Sequence, residues 1–277
     1  MTGEAEKEAF TSGSRGGEEQ IERLPPQKAE ELEALGAVVE VIDKPELGRM
    51  KIDLHCHSEA SHDCSTPVEL FPARCKYRQI SVQAITDHNQ IWGAQKLKQL
   101  VEEKAQEDGW RMTVIVGEEI STREGEIIGL FLKEKIEAGL RPEETVERIK
   151  AQDGLVLLPH GFDPLKRWRL KPEAVERIAG AIDIVETFNA RISRLHWNRA
   201  AVTWTKERGA LLSAGSDAHT LGDIGSAWVE VDLQPINEPQ VLLEALKGGT
   251  PEGEWTHPAI AYAYKVFDRM RRSLRVS

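Results

Sequence analysis

The chain has 277 residues, of which 40% are hydrophobic and 30% are charged, and its formal net charge is −10. This composition is that of an ordinary globular protein with room for one large or two small domains, and it excludes a chain that is disordered throughout. The negative charge argues against non-specific binding to nucleic acid, which favours basic surfaces.

The sequence predicts a cytoplasmic protein. No run approaches about 20 apolar residues, so we expect no transmembrane helix. The N-terminus lacks the basic start and apolar stretch of a secretory signal. The three cysteines, Cys56, Cys64 and Cys75, are few and odd in number, which is typical of a reducing compartment.

Residues 1–48 predict a leader rather than a folded domain. About the first 25 of them are rich in Gly, Ser and Glu and show no hydrophobic periodicity, which predicts disorder. Further along this leader, QKAEELEALGA predicts a short helix and VVEVID a short strand.

Residues 49–235 predict one α/β domain, because short apolar runs alternate with charged segments of helical period. The predicted strands are MKIDLH, SVQAITD, MTVIVGEEI, EIIGLFL, GLVLLPH, DIVETFN, LLSAGSD and SAWVEVD. The predicted helices are TPVELFPARCKYR, AQKLKQLVEEKAQ, PEETVERIKAQ, PEAVERIAG, LHWNRAAVTWTKER and EPQVLLEALKG. Such alternation favours a mainly parallel sheet or barrel.

Residues 236–277 predict a helical segment that packs on this domain. The stretch HPAIAYAYKVFDRMRRSLRVS is basic and places Ile260, Tyr264, Phe267 and Met270 near one face of a helix. Contact of this helix with an acidic partner or a membrane surface is the alternative.

Polar residues fall where the predicted strands end. They are His55, His57, Asp87, His88, Glu118, Glu119, His160, Glu186, Asn189, Asp217 and His219. Because the C-terminal ends of parallel strands share one rim of a barrel, we expect these side chains to cluster there. Glu126 begins its strand instead, but a hairpin through STREG would return it to the same rim.

The cluster has the chemistry of a metal centre. Strand alternation places His55 and His57 on one side and Cys56 on the other, so the two imidazoles can share an ion while the thiol packs. Imidazole and carboxylate ligands suit Zn, Mn or Fe, with three or four protein ligands per ion. The candidates are too many for one ion, which predicts two or three.

Five motifs in order, DLHCHS, AITDH, GEEIS, LLPH and GSDAH, resemble those of the PHP (polymerase and histidinol phosphatase) superfamily, and the resemblance covers roughly residues 51–232. The resemblance implies a distorted TIM-like (β/α)7 barrel with up to three divalent metals at its C-terminal mouth. It also implies an enzyme that acts on phosphoesters.

The resemblance further implies a set of ligands. The first ion would take His55, His57, Glu119 and Asp217; the second would share Glu119 and take His160; the third would take Asp63, His88 and His219. Glu126 stands where many relatives carry a histidine, so it is a carboxylate candidate for the second ion. Position within the motifs favours Glu119 over Glu118 and Asp63 over His62, and Asp87 would orient a ligand histidine.

These residues predict a metal-dependent phosphoesterase that hydrolyses a small-molecule or nucleotide phosphomonoester through a metal-bridging hydroxide. Asp217, Glu119 and His160 are the predicted catalytic residues. Substrate binding is assigned to Arg191, Asn189 and Arg167, and Glu186 is placed behind the ligands. The loop DPLKRWRLK also contains Trp168, for which stacking on an aromatic group and packing both remain open.

Two alternatives remain. A nuclease or phosphodiesterase acting on nucleic-acid ends is disfavoured by the acidic chain and the lack of a long basic face. A non-catalytic metal-binding regulatory domain is disfavoured by the retained ligand set, in which only Glu126 departs from the family pattern.

Overall fold

The computed structural model of the protein describes residues 48–107, 111–263 and 266. The predicted leader lies outside the described residues except for Gly48. The same holds for Tyr264, Phe267 and Met270 of the predicted basic helix, of which residues 258–263 are described and helical.

The described residues form an α/β fold that contains every strand and helix predicted for residues 49–235. The strands are β1 (Arg49–Asp53), β2 (Ile80–Ile85), β3 (Thr113–Thr122), β4 (Gly125–Leu130), β5 (Leu155–Leu158), β6 (Ile184–Asn189), β7 (Leu211–Gly215), β8 (Ala227–Asp232) and β9 (Thr250–Gly253). The α-helices are α1 (Phe71–Arg78), α2 (Trp92–Glu107), α3 (Pro142–Lys150), α4 (Pro172–Ile178), α5 (His196–Arg208) and α6 (Pro239–Lys247). Three of these helices begin at a proline, which is pre-organised for the first helical position.

β9 corrects the expectation that residues 236–277 are helical. Its sequence, Thr-Pro-Glu-Gly, has neither alternation nor β-branched character beyond Thr250, so no local signal predicts a strand. It pairs antiparallel with β8 at the edge of the sheet, where a proline costs little because one side of the strand needs no partner.

The strands form one sheet in the order β7-β6-β5-β4-β3-β2-β1-β8-β9. β1, β2 and β3 run parallel, as do β5, β6 and β7, while β4 returns antiparallel from β3 and pairs antiparallel with β5. The predicted hairpin is therefore confirmed. Across the gap between β1 and β7, the Leu54 N–H donates to the Ala214 carbonyl (3.3 Å) and the Asp217 N–H donates to the His55 carbonyl (2.8 Å). The sheet is thus a nearly closed, TIM-like barrel.

Apolar side chains join the helices to the sheet in three clusters. One combines residues of the strands, such as Ile52 and Ile184, with Leu242 of α6. A second packs α3, α4 and α5 against β3 to β6, and a third packs α1 and α2 against β2 and β3. Cys56 lies in the third cluster and is fully buried, as expected for a packed thiol. Within the described part of the chain, no helix is both long and apolar enough to cross a membrane.

The turn between β3 and β4 is positioned by a glycine. Gly125 has a φ of +127°, which side chains rarely adopt, and a Cβ there would collide with the backbone of Arg169 and Leu170. The hairpin therefore rests directly on the segment that follows β5. Gly139 also has a positive φ, +79°, but a Cβ there would meet no atom within 4 Å.

These two glycines give a matched pair of substitutions. We expect Gly139→Ala to cost about 1 kcal/mol from backbone strain alone. Gly125→Ala adds the clash with a neighbouring backbone, so we expect a loss of about 3 kcal/mol or more. Urea unfolding of both variants measures the difference, and equal losses would show that the close approach at Gly125 does not constrain the fold.

Candidate metal centre

The nine predicted ligands lie together at the mouth of the barrel. Seven are buried, and Asp63 and His88 are half-buried. Their ligand atoms form four overlapping groups in which all atoms lie within 4.8 Å of one another. The groups are His55, His57 and Asp217; His55, Glu119 and His160; His88, Glu119 and Glu126; and His57, His88 and His219. Asp63 joins through His219, whose Nε2 lies 2.8 Å from the Asp63 Oδ2.

His55 and His57 project from the end of β1 into the centre of this cluster. The His55 Nδ1 lies 2.9 Å from Glu186 Oε1, within hydrogen-bonding distance of that carboxylate. The His55 Nε2 faces the His57 Nε2 at 3.2 Å and the Glu119 Oε2 at 3.4 Å. Asp217 Oδ1 lies 3.5 Å from the His57 Nε2. Electron-rich atoms converging in this way fit a bound cation.

Glu119 connects this pair to the hairpin side of the mouth. Its Oε1 lies 3.0 Å from the His160 Nε2, and its Oε2 lies 3.4 Å from the His88 Nδ1. Glu126, at the start of β4, places Oε1 3.5 Å from the same His88 nitrogen and Oε2 3.9 Å from His160. The His88 Nδ1 is buried and has no hydrogen-bond partner among the described residues, which leaves it available to an ion.

Two pairs of neighbouring residues, Asp63 with His62 and Glu119 with Glu118, differ in which member faces the cluster. Asp63 faces His219 and His88, whereas His62 is exposed. Glu119 points into the mouth, whereas Glu118 points to the other side of β3 and accepts a hydrogen bond from the Ile136 N–H (2.8 Å).

The pKa values of Glu126 and His57 in the cluster are strongly shifted. Burial, with the negative charges of Glu119 and Asp217, raises the pKa of Glu126 to about 10. Burial also lowers the pKa of His57, but hydrogen bonds to Asp217 and Glu119 outweigh this and raise it to about 9. The negative charges of Glu119 and Asp217 contribute to both shifts, and a divalent cation would offset those charges.

Glu186 lies behind the ligands, as its position at the end of β6 predicts. Besides the His55 ring, it accepts hydrogen bonds from the His160 N–H (2.6 Å) and from the Asn189 Nδ2 (2.9 Å). Asn189 also donates to Asp217 Oδ2 (3.3 Å), and its Oδ1 accepts the Arg191 N–H (2.8 Å). Asn189 is fully buried and engaged at both ends of its amide, so its contacts are those of a positioning residue rather than of the expected substrate ligand.

Asp87, which was expected to orient a ligand histidine, bonds to Ser58 instead. Its two carboxylate oxygens accept hydrogen bonds from the Ser58 N–H (2.6 Å) and the Ser58 hydroxyl (2.7 Å), and within the described part of the chain no hydrogen bond joins it to a histidine. Asp87 therefore holds the turn that follows His57. Ser61 in the same turn lies 3.0 Å from the His57 Nδ1, a contact for which the sequence gives no signal.

Among the basic residues, Lys166 reaches the cluster and Arg167 does not. The Lys166 Nζ lies 2.5 Å from Asp217 Oδ2, and the Arg191 Nη1 donates to the Asp217 carbonyl (3.2 Å). Arg167 is exposed and stacks on Trp168, with 4.8 Å from its guanidinium carbon to the ring centroid. Arg167 therefore lies away from the cluster, because a compact turn directs adjacent side chains apart, and sequence cannot show which one points inward.

Comparison with known proteins gives matches along most of the described chain. The PHP domain family model matches residues 53–167, and the PHP-associated model matches residues 196–251. An uncharacterised protein of Methanocaldococcus jannaschii is 34% identical over 196 residues, which is 70% of this chain and 75% of that protein. A second uncharacterised protein of the same organism is 40% identical over 153 residues, 51% of this chain and 82% of that protein.

Solved structures share the fold at low identity. A two-domain protein from Bacteroides vulgatus that contains a predicted PHP-like metal-dependent phosphoesterase superposes with a TM-score of 0.57 at 17% identity, covering 74% of this chain and 65% of that one. A lesion-specific endonuclease from Pyrococcus furiosus gives a TM-score of 0.50 at 16% identity, covering 74% of this chain and 57% of that one.

Lys166 and Arg167 provide a stability test within one loop. The pKa of Asp217 is held well below its usual value, since the charges of Lys166 and His55 outweigh the effect of burial. Removing the ammonium should leave a buried carboxylate among other carboxylates, so we expect Lys166→Met to destabilise chelator-treated protein by about 2 kcal/mol.

The matched control is Arg167→Met, which removes the same charge from the exposed side of the loop and should change stability by less than about 0.5 kcal/mol. Chemical unfolding of both variants at pH 7 gives the comparison. Equal effects would mean that Lys166 does not balance the charge of Asp217.

Proposed function

This chain belongs to the PHP domain family, and from that premise we propose that it is a metal-dependent phosphoesterase that hydrolyses a small-molecule or nucleotide phosphomonoester. The observation that carries the proposal is the convergence of His55, His57, Glu119 and Asp217 at the barrel mouth, with Lys166 beside them. Imidazole and carboxylate ligands next to a cationic side chain suit a substrate with a phosphate group.

We propose that the nine clustered residues hold two to three divalent ions of Mn, Zn or Fe. His55, His57, Glu119 and Asp217 would hold one, and Glu119 would share a second with His160 and Glu126. Asp63, His88 and His219 would hold the third. When bound, such ions lower the pKa of water from about 15.7 toward about 7 and neutralise charge on the phosphate.

The chain's own residues prepare this chemistry. Glu186 contacts the Nδ1 side of the His55 ring, whose Nε2 faces the cluster, and Ser61 contacts the Nδ1 of His57. Lys166 and Arg191 lie on the same aspartate and would offset the negative charge of the phosphate oxygens. Because the ligands are buried, these charges interact in a medium that screens them poorly.

A nuclease remains the second candidate, since an endonuclease shares the fold. The chain's charge of −10 favours a small substrate, because nucleic-acid affinity depends on a basic surface. We place the activity in the cytoplasm, in keeping with three buried, free cysteines.

The proposal predicts hydrolysis that depends on bound metal. Protein purified without chelator should contain about two to three transition-metal ions per chain and should release phosphate from a phosphomonoester faster than it cleaves a phosphodiester or single-stranded DNA. His57→Ala should lower the metal content and should lower the rate at least 100-fold, because His57 contacts two carboxylates of the cluster. Elemental analysis and a substrate panel measure both.

His196→Ala is the matched control, since His196 is an exposed histidine at the start of α5. It should keep metal content and rate. An active preparation with less than about one ion per chain would refute the multinuclear centre, and preference for DNA would favour the nuclease.

Glu126 offers a second test of the metal centre. We expect Glu126→His to change which metal gives the highest rate, because an imidazole replaces a hard carboxylate oxygen next to His88 and His160. Metal content and rate are measured after reconstitution with Mn²⁺, Zn²⁺ and Fe²⁺. If neither changes with any metal, Glu126 does not belong to the centre.

A further inference from the structure

A cavity of about 360 Å³ lies at the opposite end of β3 from the metal centre. Its wall includes Thr113, where β3 begins, whereas Glu119 lies near the other end of the same strand. A β-strand rises about 3.3 Å per residue, so roughly 20 Å of strand separate these two residues. The cavity is therefore a separate feature of the fold, which the chemistry of the metal centre does not use.

The cavity lies where the three apolar clusters of the fold meet. Val114 belongs to the cluster of α1 and α2, Leu132 to that of α3, α4 and α5, and Ile236 to that of the barrel strands. All three side chains are buried. Packed protein interiors rarely leave a space larger than a water molecule, so the gap between these clusters has room for a small molecule. Small-molecule sites are likewise mostly apolar and have volumes of about 300–1,000 Å³.

A residue in a strained conformation forms part of the cavity wall. Phe131, directly after β4, has a φ of +60°, which bulky side chains rarely adopt. The next two residues are held in place, since the Leu132 N–H donates to the Val116 carbonyl (3.0 Å) and the Lys133 N–H donates to Gln152 Oε1 (2.9 Å). Backbone strain persists only where the surrounding structure imposes it. This side of the cavity is therefore formed by the fold and does not require a ligand to shape it.

Charged side chains line the outer rim of the cavity. They are Lys98 and Glu102 of α2 and Lys133, all exposed. The Lys133 Nζ bonds to Asp153 Oδ2 (2.9 Å), whereas among the described residues no hydrogen bond or ion pair engages the Lys98 ammonium. The rim thus has two ammonium groups and one carboxylate, and Lys98 is available to a ligand. An anionic group suits such a rim better than a cationic one.

We propose that this cavity is a second ligand site, which binds a small amphipathic monoanion such as an aliphatic or aromatic carboxylate. The apolar body of the ligand would lie between Val114, Leu132 and Ile236, and its carboxylate would contact Lys98. The inference goes beyond the proposed function, because this site requires neither a metal ion nor a phosphate group.

Isothermal titration calorimetry of metal-loaded protein with octanoate and with 1-octanol tests the site. The two probes share an aliphatic chain and differ in charge, so the apolar wall should bind both and Lys98 should favour octanoate. Thr113→Phe places a large side chain in the cavity and should weaken the binding of both probes at least tenfold. Circular dichroism and the metal content of this variant show whether the fold is retained.

A lysine pair on one helix gives the matched control. Lys98→Met should weaken octanoate binding about fivefold and leave 1-octanol binding unchanged, because only the carboxylate contacts the ammonium. Lys104→Met should change neither, since Lys104 is exposed on α2 outside the residues that line the cavity. Equal effects of the two substitutions on octanoate would overturn the inference. So would unchanged octanoate affinity in folded Thr113→Phe, which would indicate binding elsewhere, such as at the metal centre.

The chain's own Trp110 is the alternative occupant of the cavity. It belongs to the connection between α2 and β3 and lies outside the described residues. If the probes bind to Trp110→Ala but not to the unchanged protein, the tryptophan occupies the cavity and the inference is overturned. Equal octanoate affinity of the two proteins would support the inference, and absence of binding to both would refute it.

Discussion

Burial of several carboxylates at one point is the constraint on which the rest of this structure depends. Glu119, Glu126 and Asp217 lie at the mouth with relative exposures of 5% or less, among imidazoles that are mostly buried too. Buried negative charges that are not neutralised destabilise a fold by several kcal/mol each. Part of this negative charge is offset by the Lys166 ammonium and by the raised pKa values of His57 and Glu126. A bound divalent cation would supply the rest.

Hydrogen bonds of the buried Asp53 hold the strand ends that carry the charged cluster. Asp53, fully buried at the end of β1, accepts the His55 N–H (3.2 Å) and the Ser216 N–H (3.0 Å) through one oxygen. It thereby joins the strand that carries His55 to the strand that precedes Asp217, at the place where the sheet closes. Ligands that come from opposite edges of the sheet are brought within hydrogen-bonding distance by this closure.

Strand periodicity predicted β1 to β8, because each of these elements has its own local signal, and the motif resemblance implied the barrel; β9 has no such signal. Parallel strand ends must share a rim, and of the nine clustered residues all but Asp63 and Glu126 follow from that rule. Side-chain direction within irregular segments does not: Lys166 and Arg167 are chemically alike and adjacent, yet one contacts Asp217 and the other stacks on Trp168. For the same reason the partner of Asp87 depends on the turn after His57, whose path no periodic pattern encodes.

The hairpin of β3 and β4 contacts the loop after β5, residues 161–169, through the backbone. Gly125 lets β4 approach Arg169 closely, and the next residue, Glu126, donates its N–H to the Trp168 carbonyl. A displacement of Trp168 would therefore change the position of the Glu126 backbone, and with it a carboxylate of the cluster. The loop that carries Lys166 and the strand that carries Glu126 therefore form one structural unit at the cluster.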